Sequence, residues 1–161
     1  MNKTFSSAVT FPLGIGAAFQ LNRTGPSGSI GAINLNVVQS GNSFTLTFVN
    51  GAAVGIDPAG SLADGAYQLT IVAANVQGVG GNLDGNGDGI AGDDYQTPTS
   101  GAGRIFRLFG DVSGNGKVGS EDFAIFRTAF GGYNFAFDFN GDLNTDANDF
   151  GQFRARFGLM V

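Results

Sequence analysis

Carboxylate side chains are concentrated in one part of this sequence, with a spacing that suits a hard cation. Of the 13 acidic residues only Glu121 is a glutamate, and apart from Asp57 and Asp64 all lie between Asp84 and Asp149. Calcium takes about six to eight oxygen ligands, which a tightly curled loop supplies from alternate residues. Aspartates spaced among Gly and Asn therefore predict cation binding.

A tandem repeat carries most of these carboxylates. Residues 111–131 and 138–158 match at a constant offset of 27 positions (111 to 138). Each begins like the twelve-residue EF-hand calcium loop, with oxygen side chains at loop positions 1, 3, 5 and 12. The predicted ligands of the first loop are Asp111, Ser113, Asn115, the Lys117 carbonyl and Asp122. Those of the second loop are Asp138, Asn140, Asp142, the Asn144 carbonyl, Asp146 (directly or through water) and Asp149. Isolated aspartates are usually turn residues or helix caps, but two loops in one register predict two calcium ions.

Loop positions 6 and 8 distinguish the two loops. Gly116 occupies position 6 of the first loop, where the chain needs a positive φ. Leu143 occupies the same position in the second loop, where a left-handed conformation costs roughly 1–2 kcal/mol. At position 8 we expect Val118 to pair across to the other loop, in which Thr145 is its counterpart. The second loop is therefore predicted to be the less regular one.

A short amphipathic helix is predicted after each loop, because phenylalanines recur at spacings of three and four. The two sets are Phe123, Phe126 and Phe130, and Phe150, Phe153 and Phe157. Gly131 and Gly158 are natural C-terminal stops. Since neither short helix would be stable alone, we expect the two to pack face to face into a small core, with the loops pinned by ions.

The tandem loop–helix units resemble the type I dockerin family. Their endings, FRTAFG and FRARFG, are similar to dockerin-type tails of large secreted bacterial proteins, those of planctomycetes especially. The resemblance covers residues 111–158 and implies an extracellular location, two calcium ions and a protein-binding role. The family's ligand positions carry over onto Asp111, Ser113, Asn115, Asp122, Asp138, Asn140, Asp142, Asp146 and Asp149. Loop positions 10 and 11, small hydroxyl residues in cohesin-binding dockerins, are here Ser120–Glu121 and Ala147–Asn148.

A third candidate ion site lies upstream, in the sequence LDGNGDGIAGDDY (83–95). It opens like an EF-hand loop, but no helix follows. The predicted ligands are Asp84, Asn86, Asp88, the Ile90 carbonyl, and Asp93 or Asp94 as the closing carboxylate. The alternative is a solvated Asp-Gly turn. If this loop binds a third ion, we expect it to stiffen the link between two domains.

The N-terminal part reads as short alternating strands separated by turn residues. The predicted strands are Phe5–Phe11, Ala17–Asn22, Ile30–Val38, Ser43–Val49 and Tyr67–Val76, with Arg104–Phe109 as one more. The predicted fold is mainly β plus small α: an antiparallel, Ig-like β-sandwich (1–76), a Gly/Asp-rich linker with a last strand (77–110) and the dockerin-like module (111–161). Because about seven strands are usual in such a sandwich, we expect an open edge. The N-terminal strand could pair with its own sheet or with a neighbour's.

Composition excludes several classes of function. The net charge of −5 disfavours nucleic acid and anionic membrane surfaces as partners. No stretch reaches the roughly 18 apolar residues of a membrane span. The chain has no His and no Cys, which removes the usual general base and the common zinc ligands. We therefore expect a protein that binds and does not catalyse.

Three functions remain open at this stage. The leading hypothesis is a non-enzymatic, calcium-binding assembly protein at the bacterial cell surface or outside the cell. It would form a homo-oligomer or homopolymer, as a fibre or surface-layer-like subunit, through the sandwich edge or the N-terminal strand. The alternatives are a docking tail that binds a cohesin-like protein, and a carbohydrate-binding sandwich.

Overall fold

The computed structural model of the chain describes residues 1–25, 28–49 and 60–161. The fold consists mainly of antiparallel β-sheets with a few short helices, which confirms the expected class of β plus small α. The chain forms two compact units, Met1–Val54 with Tyr67–Ile105, and Gly55–Ala66 with Phe106–Val161. Among the helices in the described ranges, none has the length and apolar character needed to cross a membrane.

Short strands account for most of the regular structure. They are β1 (Asn2–Thr4), β2 (Phe19–Gly25), β3 (Gly28–Ile33), β4 (Leu35–Ser40), β5 (Ser43–Phe48), β6 (Gly65–Ile71), β7 (Gln77–Gly78), β8 (Gly81–Asn82), β9 (Tyr95–Gln96) and β10 (Ile105–Arg107). One sheet has the order β1-β5-β4, and a second has the order β10-β6-β2-β3 with β9 also paired to β6. The strands β7 and β8 form a small ribbon. Helix α1 (Ile15–Ala18) precedes β2.

The predicted alternation is confirmed in the central strands. In β5, Phe44 and Leu46 are buried while the intervening residues are exposed. In β6, Tyr67, Leu69 and Ile71 form the buried face. Side chains at every second position of a strand point the same way, so both strands give one face to the core of the first unit.

The predicted strand Phe5–Phe11 is wrong. The N-terminal strand is instead β1, and the residues after it are irregular. Both phenylalanines still reach the core, since the rings of Phe5 and Phe11 lie 5.2 and 5.3 Å from that of Phe44. Their apolar character therefore reflects side-chain anchoring of an irregular segment. A period of two cannot distinguish that from a strand when only two or three positions are apolar.

Other predicted strands are shorter than expected or divided. The segment Ile30–Val38 splits at Asn34 into β3 and β4, which belong to different sheets. The start of Ala17–Asn22 is the end of α1, and the end of Tyr67–Val76 is a 3₁₀ turn, Ala73–Asn75. The predicted last strand is reduced to β10.

The N-terminal strand pairs within its own sheet. β1 is antiparallel to β5, and the N-terminal amine donates to the Leu46 carbonyl at 2.8 Å. Of the two alternatives left open by the sequence, pairing with the chain's own sheet is the one that the structure contains.

The second unit is built around helices α2 (Ser120–Ala129) and α3 (Ala147–Arg156). Its core consists of Leu108, Phe109, Val118, Phe126, Phe137 and Phe153. The two helices pack face to face as expected, with the rings of Phe126 and Phe153 4.9 Å apart, but only the middle phenylalanine of each set is buried. Phe123 and Phe150 are 36% exposed, and Phe130 and Phe157 are 53% and 52% exposed. Phe137, from the segment between the repeats, packs on Phe126 at 5.0 Å and takes up core space.

Candidate metal centres

The first repeat folds into a loop that curls around its leading aspartate. Asp111 Oδ1 accepts from the Gly114 N–H at 2.8 Å, and Oδ2 accepts from the Gly116 N–H at 2.7 Å. Asn115 Oδ1 accepts from the Lys117 N–H at 2.8 Å. Gly116 has the predicted positive φ, 87°. These bonds between positions 1, 4, 5, 6 and 7 hold the backbone of the loop in a tight curl around Asp111.

The second loop repeats this pattern residue for residue. Asp138 accepts from Gly141 N–H at 2.7 Å and from Leu143 N–H at 3.0 Å. Asp142 Oδ1 accepts from the Asn144 N–H at 2.9 Å. Leu143 has φ 65° and is the one non-glycine residue with positive φ in the described part of the chain. The predicted strain at this position is confirmed, and the loop keeps its curl despite it.

The carboxylates at position 12 tie the end of each loop to its beginning. Asp122 is fully buried and accepts from the Ser113 N–H at 2.9 Å and the Gly119 N–H at 2.8 Å, one on each oxygen. Asp149 is equally buried and accepts from two backbone amides of the second loop, at 2.8 and 2.9 Å. Each oxygen thus holds one N–H and retains further acceptor capacity, which a cation can use. Both residues are also at position N3 of the following helix, where they accept from the N-cap N–H groups of Gly119 and Asp146.

Two further polar side chains of these loops accept hydrogen bonds. Asp146 is the N-cap of α3, where its Oδ1 accepts from the Asn148 N–H at 2.7 Å. Glu121 was not predicted as a ligand, but its carboxylate accepts from the Asn115 amide above the first loop. The signal available in the sequence was that the chain's one glutamate lies at position 11 of this loop. In the second loop, the hydrogen bond from the amide of Asn140 holds the pKa of Asp142 below its ordinary value.

The prediction that position 8 pairs with the other loop is wrong. Val118 accepts from the Gly158 N–H at 2.8 Å and donates to the Leu159 carbonyl at 3.1 Å, behind the second helix. Thr145 makes the equivalent bonds with Gly131 and Gly132, behind the first helix. Each loop is therefore tied to the C-terminal end of the other repeat's helix. The glycines that end the helices supply the positive φ, 85° and 88°, that turns the chain back.

The third loop has the same opening geometry. Asp84 accepts from Gly87 N–H at 2.7 Å and from Gly89 N–H at 2.8 Å, and Asp88 Oδ1 accepts from Ile90 N–H at 2.8 Å. Oxygens of Asp84, Asp88 and Asp93 all lie within 4.8 Å of one another, the one such group of three carboxylates among the described residues. Two ligands on opposite sides of a calcium ion are about 5 Å apart. This triad therefore fits around a single cation.

The closing carboxylate of the third loop is Asp93 and not its neighbour. Asp94 accepts from the Ala73 N–H at 2.8 Å and so anchors the loop to the end of β6. Gly85 donates to the Asp93 carbonyl at 2.8 Å, which brings both ends of the loop together. Tyr95, directly after the loop, accepts from the Lys3 ammonium at 2.9 Å. The third loop is thus part of the first compact unit. It does not lie in a linker between two domains, where the sequence had placed it.

One acidic residue outside the loops organises the second unit. Asp64 forms ion pairs with Arg107 and Arg156, and it accepts from the Phe109 N–H at 2.6 Å. The predicted sandwich domain included this residue, whereas residues 60–66 belong to the second compact unit. Its partners lie more than 40 positions away, so no local pattern in the sequence indicates its role.

The donor sets of all three loops consist of carboxylate, amide, hydroxyl and backbone oxygens. Such hard ligands fit calcium, and the sequence contains neither His nor Cys, the usual zinc ligands. Comparisons of the chain with protein-family models, curated proteins and solved structures give no significant match. The assignment of these centres therefore rests on the geometry of the loops.

Proposed function

We propose that this chain is a non-enzymatic, calcium-binding structural protein of the bacterial cell surface or exterior, and that it self-associates. In this proposal residues 111–158 are a dockerin-like module and the β-sheets of the first unit are an Ig-like sandwich. The observation that carries the proposal is the shared arrangement of three loops. In each, an aspartate at position 1 accepts from the amides of positions 4 and 6, and position 5 accepts from position 7.

Calcium is the cation that best uses this arrangement. In an EF-hand loop the same curl accompanies calcium ligation by the side-chain oxygens of positions 1, 3 and 5 and the carbonyl of position 7, and all three loops have oxygen-bearing side chains at positions 1, 3 and 5. Magnesium requires a smaller, near-octahedral shell and gives up its water reluctantly. A dication also offsets the mutual repulsion of the three carboxylates that the third loop brings together.

Isothermal titration of the chelator-treated chain with calcium tests this function. We expect three ions per chain, and one ion fewer in each of the variants Asp84→Ala, Asp111→Ala and Asp138→Ala. Magnesium at the same concentration serves as the competitor. A wild-type chain that binds no calcium, or binds it no more tightly than magnesium, would refute the proposed function.

A second candidate is a docking tail, favoured by a specific feature of α2 and α3. The partly exposed phenylalanines line two shallow grooves with an arginine at each rim. One groove is lined by Phe123, Phe126, Arg127, Phe130 and Phe150. The other is lined by Phe123, Phe150, Phe153, Arg154 and Phe157, most of which are the same positions one repeat later. An apolar centre with a cationic rim suits a partner with apolar and acidic side chains. This function predicts a calcium-dependent, one-to-one complex with a purified cohesin module, and no such complex if the chain only self-associates.

A further inference from the structure

The edge strands of the two larger sheets differ in how they are protected. Natural sheets guard their edges with short strands, charges, prolines or bulges. β1 has three residues including Lys3, β9 has two, and β10 has three and ends at Arg107. β3 has a register shift that leaves Ile30 as an extra residue, so it is bulged.

β4 has none of these devices. Its six residues, LNVVQS, include no charge and no proline, and they pair with β5 without a break in register. Val38, on its outer face, is 55% exposed. Within residues 1–25, 28–49 and 60–161 no strand pairs with its other edge. It is therefore the one long, regular and neutral edge in the described part of the unit.

The register fixes which backbone groups of β4 point outward. β4 and β5 are joined by two residues, so Ser40 and Ser43 form a hydrogen-bonded pair, and such pairs alternate along the ladder. The Leu46 N–H confirms this alternation. It donates to the Met1 carbonyl at 2.8 Å, on the side of β5 that faces away from β4. Its partner Val37 therefore directs its own N–H and C=O away from β5. The same holds for residues 35 and 39.

We propose that β4 pairs with β4 of a second copy of this chain, antiparallel and centred on Val37. The proposal deepens the proposed self-association by naming its interface, and it rests on that function. In this register Val37 faces Val37 of the second copy, and residue 35 faces residue 39 on either side. All outward N–H and C=O groups of the three residues are then paired, giving six hydrogen bonds across the interface.

A second copy fits this edge for two reasons. Antiparallel pairing about a twofold axis requires a strand that is complementary to itself, and the outward residues 35, 37 and 39 are symmetric about the central one. No charge on β4 faces a like charge across the axis, even though the chain as a whole carries −5. A contact of this kind closes a dimer. The dimer is thus the unit from which any larger assembly would be built.

Sedimentation velocity of the full chain over a range of concentrations, in calcium, tests the interface. Val37→Pro removes an outward N–H that β5 does not use, and Val38→Lys places a charge near the twofold axis. We expect a concentration-dependent dimer for the wild type and monomers for both variants. Thr47→Lys is the matched control, since it adds the same charge to an exposed position of the inner strand β5, and it should dimerise like the wild type. Circular dichroism establishes that each variant is folded.

Disulfide trapping tests the register itself. In the proposed pairing Asn36 lies opposite Val38 of the second copy in a non-hydrogen-bonded pair, where Cα atoms are about 4.5 Å apart, a distance that a disulfide spans. The chain has no cysteine of its own. A mixture of Asn36→Cys and Val38→Cys chains should cross-link at least tenfold faster than a mixture of Asn36→Cys and Thr47→Cys chains.

The outcomes separate the interface from the function on which it rests. A folded wild type that stays monomeric in calcium at every concentration overturns both self-association and the β4 contact. If the wild type dimerises and folded Val38→Lys or Val37→Pro dimerises equally well, the β4 contact is wrong while self-association stands. Equal cross-linking rates in the two cysteine mixtures overturn the register.

Discussion

Gly85 is the residue on which closure of the third loop depends most directly. A methyl group there would lie 2.1 Å from the Tyr95 nitrogen, 2.3 Å from the Asp94 carbonyl carbon and 2.5 Å from the Asp93 oxygen. All three are backbone atoms, which cannot rotate away as a side chain can. We predict that Gly85→Ala forces the two ends of the loop apart and destroys its ion site.

The cost follows from the contacts that must break. Separating the ends breaks the Gly85–Asp93 and Gly92–Leu83 backbone hydrogen bonds, of 2.8 and 2.7 Å, at about 1 kcal/mol each. Residual crowding adds about 1 kcal/mol, so the free energy of unfolding falls by roughly 3 kcal/mol. For a chain of this size each kcal/mol lowers the melting temperature by about 2–4 °C. The expected shift in chelator is therefore about 6–12 °C.

Calcium enlarges the difference if the loop is an ion site. At 100 times the dissociation constant, a bound ion stabilises the wild type by about 2.7 kcal/mol, which the variant lacks. The assay is thermal unfolding by circular dichroism in calcium and in chelator, with calorimetric counting of ions. Gly80→Ala is the control, because a methyl group at Gly80 meets no atom within 4 Å. Equal melting of Gly85→Ala and wild type in chelator would refute the steric argument. Three ions bound to Gly85→Ala would refute the site.

Three further changes test other parts of the second unit. Asp64→Asn should lower the free energy of unfolding by about 1–2 kcal/mol in urea titrations, since two arginine ion pairs at a partly exposed site are weakened; an unchanged midpoint would contradict this. Thr145→Val should cost about 1 kcal/mol, because the buried hydroxyl accepts from the Asn134 N–H at 3.1 Å, and a neutral result would show that this bond contributes nothing. Asp142 has a folded-state pKa below its ordinary value, so its stabilising contribution is present above the unfolded pKa and lost as pH falls through the folded one. In chelator, Asp142→Asn should therefore flatten the acid side of the stability profile, and a profile as steep as that of the wild type would oppose the assignment.

Local features of the fold could be predicted from the sequence because their causes are local. Gly116, Gly131 and Gly158 have the positive φ that their loop and helix-end positions require. Leu143 has it as well, against its own preference. In each case a fixed spacing from an aspartate or from the phenylalanine repeat determines the backbone conformation.

Features that depend on distant partners could not be predicted. Ile30–Val38 is a single apolar run, and only the placement of two sheets divides it at Asn34. Asp64 lies among turn residues, and its arginines are defined by the folded chain. The choice between Asp93 and Asp94 as the closing carboxylate likewise depends on Ala73, whose N–H donates a hydrogen bond to Asp94. The spacing of residues in the sequence leaves both aspartates as candidates, and only the folded chain shows which of them is free to close the loop.

The crossed pairing of the two repeats has a consequence for how the ions bind. Val118, at position 8 of the first loop, is hydrogen-bonded to Gly158 and Leu159 just after α3, while Thr145, at position 8 of the second loop, is bonded to Gly131 and Gly132 just after α2. An ion that orders one loop therefore also fixes the end of the other repeat's helix. Coupling of this kind is reciprocal and typically amounts to about 1–3 kcal/mol. We predict that Asp138→Ala weakens calcium binding at the first loop by about tenfold.

Titration calorimetry of this variant beside Asp84→Ala isolates the coupling. The third loop belongs to the other compact unit, so its loss should leave the affinity of the first loop unchanged. Independent sites would give the same affinity at the first loop in both variants, and that result would refute the coupling.

Coupling through the crossed pairs gives a physical reason for the repeat itself. A single loop–helix unit has no second helix whose C-terminal residues could pair with position 8. The backbone N–H and C=O of that position would then have no partner in the protein. The duplication thus supplies the backbone partners of position 8 in each loop, and an ion bound to one loop would also stabilise the other repeat.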